Sequence, residues 1–300
     1  MSFWQAIFLG FLQGATELFP VSSLGHAVLL PKLLGWSYDQ SSPEFLPYIV
    51  LLHLGTAAAL LVYFRQDWIA LARAFFAAVA RGSLGADPNE RLALLLLAGT
   101  VPTAVIAGLF KKDLEKLFAN PRLAAVFLIV NGAVMGTGEL LRRQAERRRP
   151  AVGTSGAGAT AAASTVGAAA REAAFAEERE LGFGAALVVG ASQSLALLPG
   201  ISRSGSTITA GLLSGLSHEA AARFSFFLAT PIILAAGLVE VGGLASTGGR
   251  LPRYLAGAAV AGVTAYLSVR FLLRYFRSGR LDPFAIYCVA LGLAGLLLIH

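Results

Sequence analysis

Two short stretches of this sequence carry side chains that could act on a phosphate. The first, Gln13-Gly-Ala-Thr-Glu17-Leu-Phe-Pro-Val-Ser22-Ser23-Leu-Gly-His26, holds a carboxylate, two serines and an imidazole. The second, Pro199-Gly200-Ile-Ser202-Arg203-Ser204-Gly-Ser-Thr207, sets one guanidinium among hydroxyls and glycines. Arg203 is the only charged residue between Leu181 and Leu216. Facing lipid it would cost about 2.5–3.5 kcal/mol, so it faces a partner in a protein-lined or wet cavity. A guanidinium with hydroxyls and free backbone N–H groups is a receptor for an oxyanion, most naturally phosphate. Glu17, Ser23 and His26 supply acid/base and nucleophile types, and Arg203 supplies the clamp. That division is what phosphoryl transfer needs.

Simpler roles stand beside these. Ser202, Ser204 and Thr207 could cap a half-helix beginning near Ser204, which is compatible with binding phosphate. Gln13 and Ser22 join Ser202, Ser204, Thr207 and Gly200 as substrate-binding candidates, although Gln13 and Gln193 could only tie helices to backbone. His53 and Glu240 lie in full spans without a motif and are assigned no role. The glycine-rich stretch lacks the Gly-Lys-Ser/Thr of a P-loop. It also resembles lipid phosphatases of the acid-phosphatase type at Ser202-Arg203, but no downstream His and Asp pair completes that pattern.

These residues sit in a chain that is 56% hydrophobic and 14% charged, the composition of an α-helical polytopic membrane protein rather than a soluble domain. The net charge of +7 falls in short flanks between apolar runs, which points to membrane orientation and away from nucleic acid. A lone Cys288 excludes an intramolecular disulfide. No Lys or Arg precedes Lys32, so a cleaved signal peptide is not expected.

Six full spans are expected, at about 45–64, 91–110, 121–141, 219–243, 253–276 and 283–299. Pro102 should kink the second, and the charged stretch after it should form a turn. An amphipathic helix at 66–82 should lie at the interface with Trp68 as a headgroup anchor. Residues 3–30 and 183–215 each read as two half-helices around a proline, and such a break is tolerated at membrane depth only where protein or water covers it. Residues 142–180 open with an arginine cluster and pass through an Ala/Gly/Ser/Thr-rich tract, expected as a disordered or weakly helical cytoplasmic loop. On that topology fifteen of the 24 Lys and Arg fall on the cytoplasmic side.

Sliding the chain by 180 residues pairs the two broken elements. Phe3, Ala6, Gly10, Gln13, Leu18, Ser22 and Gly25 fall on Phe183, Ala186, Gly190, Gln193, Leu198, Ser202 and Gly205. Three spans between the copies would invert the second, so the breaks would meet near the midplane as in inverted-repeat transporters. The chain thus reads as one integral membrane domain over 1–300, with repeats at about 1–141 and 181–300.

The two motifs, in this order and at this separation, resemble the signatures of the bacterial undecaprenyl-diphosphate phosphatases, also called the bacitracin-resistance family. Weaker similarity continues at Phe224-Ser-Phe-Phe-Leu-Ala-Thr-Pro231 and Pro283-Phe-Ala-Ile-Tyr287. The resemblance implies an inner-membrane enzyme that converts undecaprenyl diphosphate to undecaprenyl phosphate, the cell-wall carrier lipid, and inorganic phosphate. Bacitracin would compete for the substrate. The resemblance further implies six spans with two re-entrant pairs, a homodimer, a pocket on the periplasmic side, and a divalent cation, Mg²⁺ or Ca²⁺. The family's acidic motif is Glu or Gln, three residues, then Glu. Gln13 offers only a neutral carbonyl, so metal binding would rest on Glu17. The tract 150–180 looks like an insertion. The nucleophile stays open among Ser23, His26 and water. A transporter of undecaprenyl phosphate or another anion is the rival reading.

Overall fold

A chain in lipid must satisfy every backbone polar group internally, which leaves helices or a closed barrel. The computed structural model contains helices and no strand among its described residues, 1–36, 42, 44–85, 87–118, 120–148, 173–240, 242 and 249–299. In chain order these are α1 (Phe3–Thr16), α2 (Ser23–Leu33), α3 (Phe45–Tyr63), α4 (Arg65–Arg81), α5 (Pro88–Phe118) and α6 (Pro121–Arg148). After α7 (Ala173–Glu180) come α8 (Phe183–Ser192) with a 3-10 turn over Gln193–Leu197, α9 (Arg203–Leu213), α10 (His218–Glu240), α11 (Leu251–Tyr275) and α12 (Asp282–Leu298).

Among the described residues, five helices are long and apolar enough to cross a membrane: α3, α5 as far as Phe110, α6, α10 and α11. The bent pair formed by α7 and Phe183–Leu197 would make a sixth if taken as one span. The expected last span, α12, has 17 residues, or about 25 Å of helix. The chain is therefore a multi-pass membrane protein.

Several local expectations change. The stretch after Phe110 is helical rather than a turn, and the break in helical dihedrals falls at Phe110 itself (φ −110°, ψ 15°) rather than at Pro102. Helix α2 runs through Pro31 to Leu33. The arginine cluster through Arg148 continues α6, and residues 173–180 form α7. The rest of that expected loop, 149–172, lies outside the described residues, as do 37–41 and 43 of the loop after α2. Helix α4 is amphipathic as expected, burying Leu71, Ala74 and Ala78 along one stripe. Trp68, however, packs edge-on to Phe227 with a buried indole N–H. Its ring therefore packs against α10.

Packing follows a paired scheme. Helix α1 lies along α11, and α8 lies along α5; α11 also packs on α3, and α5 on α10. Each of the first two crossings is close because glycine removes a side chain. A Cβ on Gly10 would sit 2.2 Å from the Gly257 carbonyl oxygen, and one on Gly190 would sit 2.2 Å from Gly99 Cα. Gly10 and Gly190 are the residues matched by the 180-residue shift. Helices α6 and α12 pack on each other, and α6 also carries α2 and α9. At one end of this group the buried Glu139 joins three helices, meeting His218 Nε2 at 2.8 Å, Arg143 at 3.4 Å and the Leu281 N–H at 3.4 Å.

Candidate active site

Both motifs form the N-terminus of a short helix after a break. Helix α1 stops at Thr16, Glu17 caps it, and the chain turns through Pro20 to Ser22. Ser22 adopts φ 67°, a left-handed conformation that costs a non-glycine residue free energy and persists only where its surroundings fix it. Three bonds do so here. Its carbonyl accepts from the His26 N–H at 3.2 Å and from His26 Nδ1 at 2.7 Å, and its Oγ accepts from the Gly25 N–H at 3.2 Å. The turn brings Ser23, the first residue of α2, back onto Glu17. The second motif repeats the capping: Ser202 Oγ accepts from the Gly205 N–H at 3.0 Å, which starts α9 at Arg203.

The two breaks are stitched together. Asn131 of α6 donates to the Pro20 carbonyl at 3.2 Å and accepts from the Ser202 N–H at 3.0 Å. Ser204 Oγ donates to the Phe19 carbonyl at 3.0 Å. Gly200, at φ 104°, lets the second turn sit on α6, where a Cβ would come 2.2 Å from the Ala124 carbonyl oxygen.

Glu17 lies at the junction, 7% exposed. Its Oε1 accepts from Arg203 Nη2 at 3.2 Å. Its Oε2 accepts from Ser23 Oγ at 2.5 Å and Gln13 Nε2 at 3.1 Å, with His53 Nε2 at 3.1 Å. Arg203 Nη1 donates to the Ser225 carbonyl at 3.1 Å. Glu17, Ser22, Ser23, His53, Ser202 and Arg203 form the polar end of a cavity of about 250 Å³. Its other walls are apolar, drawn chiefly from Phe45, Leu46 and Ile49 of α3 and Ile232, Ile233 and Ala236 of α10. That volume is just below the roughly 300–1,000 Å³ of small-molecule pockets, room for a headgroup and not for a long lipid.

Of the other residues singled out in the sequence, His26 and Thr207 lie beside this cavity rather than in its wall. His26, 1% exposed, has Nδ1 on the Ser22 carbonyl and Nε2 2.7 Å from the Tyr287 hydroxyl, with the two rings stacked. Thr207 Oγ1 lies 2.8 Å from the Arg203 carbonyl and 2.6 Å from Ser225 Oγ, tying α9 to α10. Gln193 does line the cavity, and its Nε2 donates to the Gly99 and Gly190 carbonyls at 3.3 Å. Sequence reasoning missed His53, Asn131 and Ser225. His53 carried a usable signal, because an ionisable side chain inside a span is a functional candidate by default. Asn131 and Ser225 carried none.

The expected divalent cation is not matched by this donor set. Among the described residues no three His, Cys, Asp or Glu side chains gather as a metal site. The one carboxylate, Glu17, has Arg203 on one oxygen and three donors around the other. A cation placed there would displace those donors and face a guanidinium.

A serine 2.5 Å from a carboxylate that an arginine also holds, at two stitched helix N-termini, is an arrangement that could carry out phosphoryl transfer. The family model described as bacitracin resistance protein BacA matches residues 6–294. An undecaprenyl-diphosphatase of Acidiphilium cryptum is 46% identical over 302 residues, covering 98% of this chain and 97% of that protein. Undecaprenyl-diphosphatase 2 of Chromobacterium violaceum is 43% identical over 299 residues, with 98% and 97% covered, and its namesake in Frankia alni is 43% identical over 331 residues, with 97% and 96% covered. The chain therefore belongs to the bacitracin resistance protein BacA family.

Proposed function

We propose that the chain is an undecaprenyl-diphosphate phosphatase, releasing undecaprenyl phosphate and inorganic phosphate, and that Ser23 is its nucleophile. The observation that carries this reading is the 2.5 Å contact of Ser23 Oγ with Glu17 Oε2 while Arg203 holds the other carboxylate oxygen. Glu17 takes the Ser23 proton as Oγ bonds to the terminal phosphorus. The bond from that phosphorus to the bridging oxygen breaks, and its electron pair stays on the departing lipid phosphate. Water then adds to the phosphoserine, the P–Oγ bond breaks, Glu17 returns its proton to Oγ, and both water protons leave with phosphate. Arg203 and the N-termini of α2 and α9 offset the negative charge that gathers on the transferring group. The apolar walls of α3 and α10 take the first isoprene units, leaving the rest of the tail in lipid.

The same reading places the protein in the bacterial inner membrane with its pocket open to the periplasm, recycling the carrier lipid and competing with bacitracin for the diphosphate. It also keeps the two halves as inverted repeats and the homodimer as its assembly. The mirrored helix pairings and the matched glycines Gly10 and Gly190 support the repeat. The deciding experiment is phosphate release from undecaprenyl diphosphate by detergent-solubilised protein. Turnover is expected; intact lipid binding with no phosphate released would favour a transporter instead.

A further inference from the structure

His53 belongs to neither motif, yet its ring links the backbone of α3 to the reacting carboxylate. Nδ1 lies 2.8 Å from the Ile49 carbonyl oxygen one turn earlier. A carbonyl can only accept, so Nδ1 donates and the ring is pinned; an Nε2 that meets a carboxylate must donate as well, so the ring acts here as the imidazolium, with a proton on each nitrogen. Nε2 is thereby turned onto Glu17 Oε2 at 3.1 Å, in the wall of the cavity.

The four partners of Glu17 are not equivalent. Gln13 sits four residues earlier on the same helix end, so it moves with the carboxylate and cannot hold it in place. Ser23 must leave Oε2 when its oxygen attacks. Arg203 fastens the other oxygen, and it is the group that an incoming diphosphate would engage. Among the contacts described for Oε2, only His53 ties that oxygen to an element outside the broken α1–α2 pair.

We propose that His53 is a positioning residue that holds Oε2 of Glu17 in line with Ser23 Oγ while substrate occupies Arg203. The proposal rests on the assignment of Glu17 as the base for Ser23. Oε2 is the proton acceptor and its direction decides whether the transfer is productive. A loss of alignment near the chemistry is therefore felt in turnover more than in binding.

The test uses the purified full chain with undecaprenyl diphosphate, measuring kcat and KM for wild type, H53A, H53L, H53Q and E17A. H53A and H53L should lower kcat by about a hundredfold with KM little changed. H53Q, which can still offer an N–H to Oε2, should recover most of that loss. Wild-type kcat in H53A or H53L would overturn the proposal. So would H53Q as slow as H53L in a folded protein, or a rise in KM in place of the fall in kcat. If H53A fails to fold, H53L and H53Q carry the comparison. An active E17A would instead sink the assignment of the base, an outcome that the His53 variants cannot mimic.

Discussion

Glu17 is the centre of the site because donors from four helices or their flanks end on its two oxygens: Gln13 from α1, Ser23 from α2, His53 from α3 and Arg203 from α9. A carboxylate this buried is tolerated only because those donors replace water. Replacing Glu17 by Gln keeps the shape and removes the base, so phosphate release should fall by about 10²–10⁴-fold. Replacing Arg203 by Lys keeps the charge but not the fork that spans Glu17 and the Ser225 carbonyl, and the same phosphate-release assay should show a comparable loss. Near-wild-type rates in either variant would contradict the site. At this scale the sequence was most legible where unusual residues clustered. Glu17, Ser23 and Arg203 stand out because charge and hydroxyl groups are rare inside apolar runs. His26 stood out for the same reason, yet three residues along α2 from Ser23 it faces Tyr287 of α12. Spacing alone could not decide which side of a short helix would meet the cavity.

At the scale of the elements, the breaks matter more than the spans. Proline marked both of them in the sequence, with Gly200 beside the second, and the caps at Ser22 and Ser202 follow from the preference of serine for helix N-termini. What could not be read was the part of Asn131 in holding the breaks together beside the Ser204–Phe19 and Arg203–Glu17 contacts, since this asparagine on α6 has no local pattern around it. Asn131→Ala would leave the Ser202 N–H unpaired and deprive the Pro20 carbonyl of a donor. A cost of about 1–3 kcal/mol is expected for such a loss, seen as a lower thermal unfolding midpoint in detergent together with reduced turnover. An unchanged midpoint would show that packing and the Ser204–Phe19 and Arg203–Glu17 contacts hold the two breaks without Asn131. The kink at Phe110 and the helical stretch after it were missed for a related reason. Charged residues after an apolar run mark where a span leaves the membrane, not where the helix stops.

For the whole molecule, composition settles the membrane class, and the 180-residue shift matched the two broken elements whose turns lie together in the structure. The count of spans was less legible: α12 is short, and α7 with α8 makes a bent pair that length alone cannot classify. On the proposed mechanism, this scaffold sets Ser23 against Glu17 in a cavity sized for a headgroup. The most direct test is therefore to quench the enzyme during turnover of a lipid labelled at its terminal phosphate and locate the label by peptide mapping. The account predicts a phosphoserine at Ser23 that is absent from Ser23→Ala. Label on His26, or steady turnover in Ser23→Ala, would contradict it.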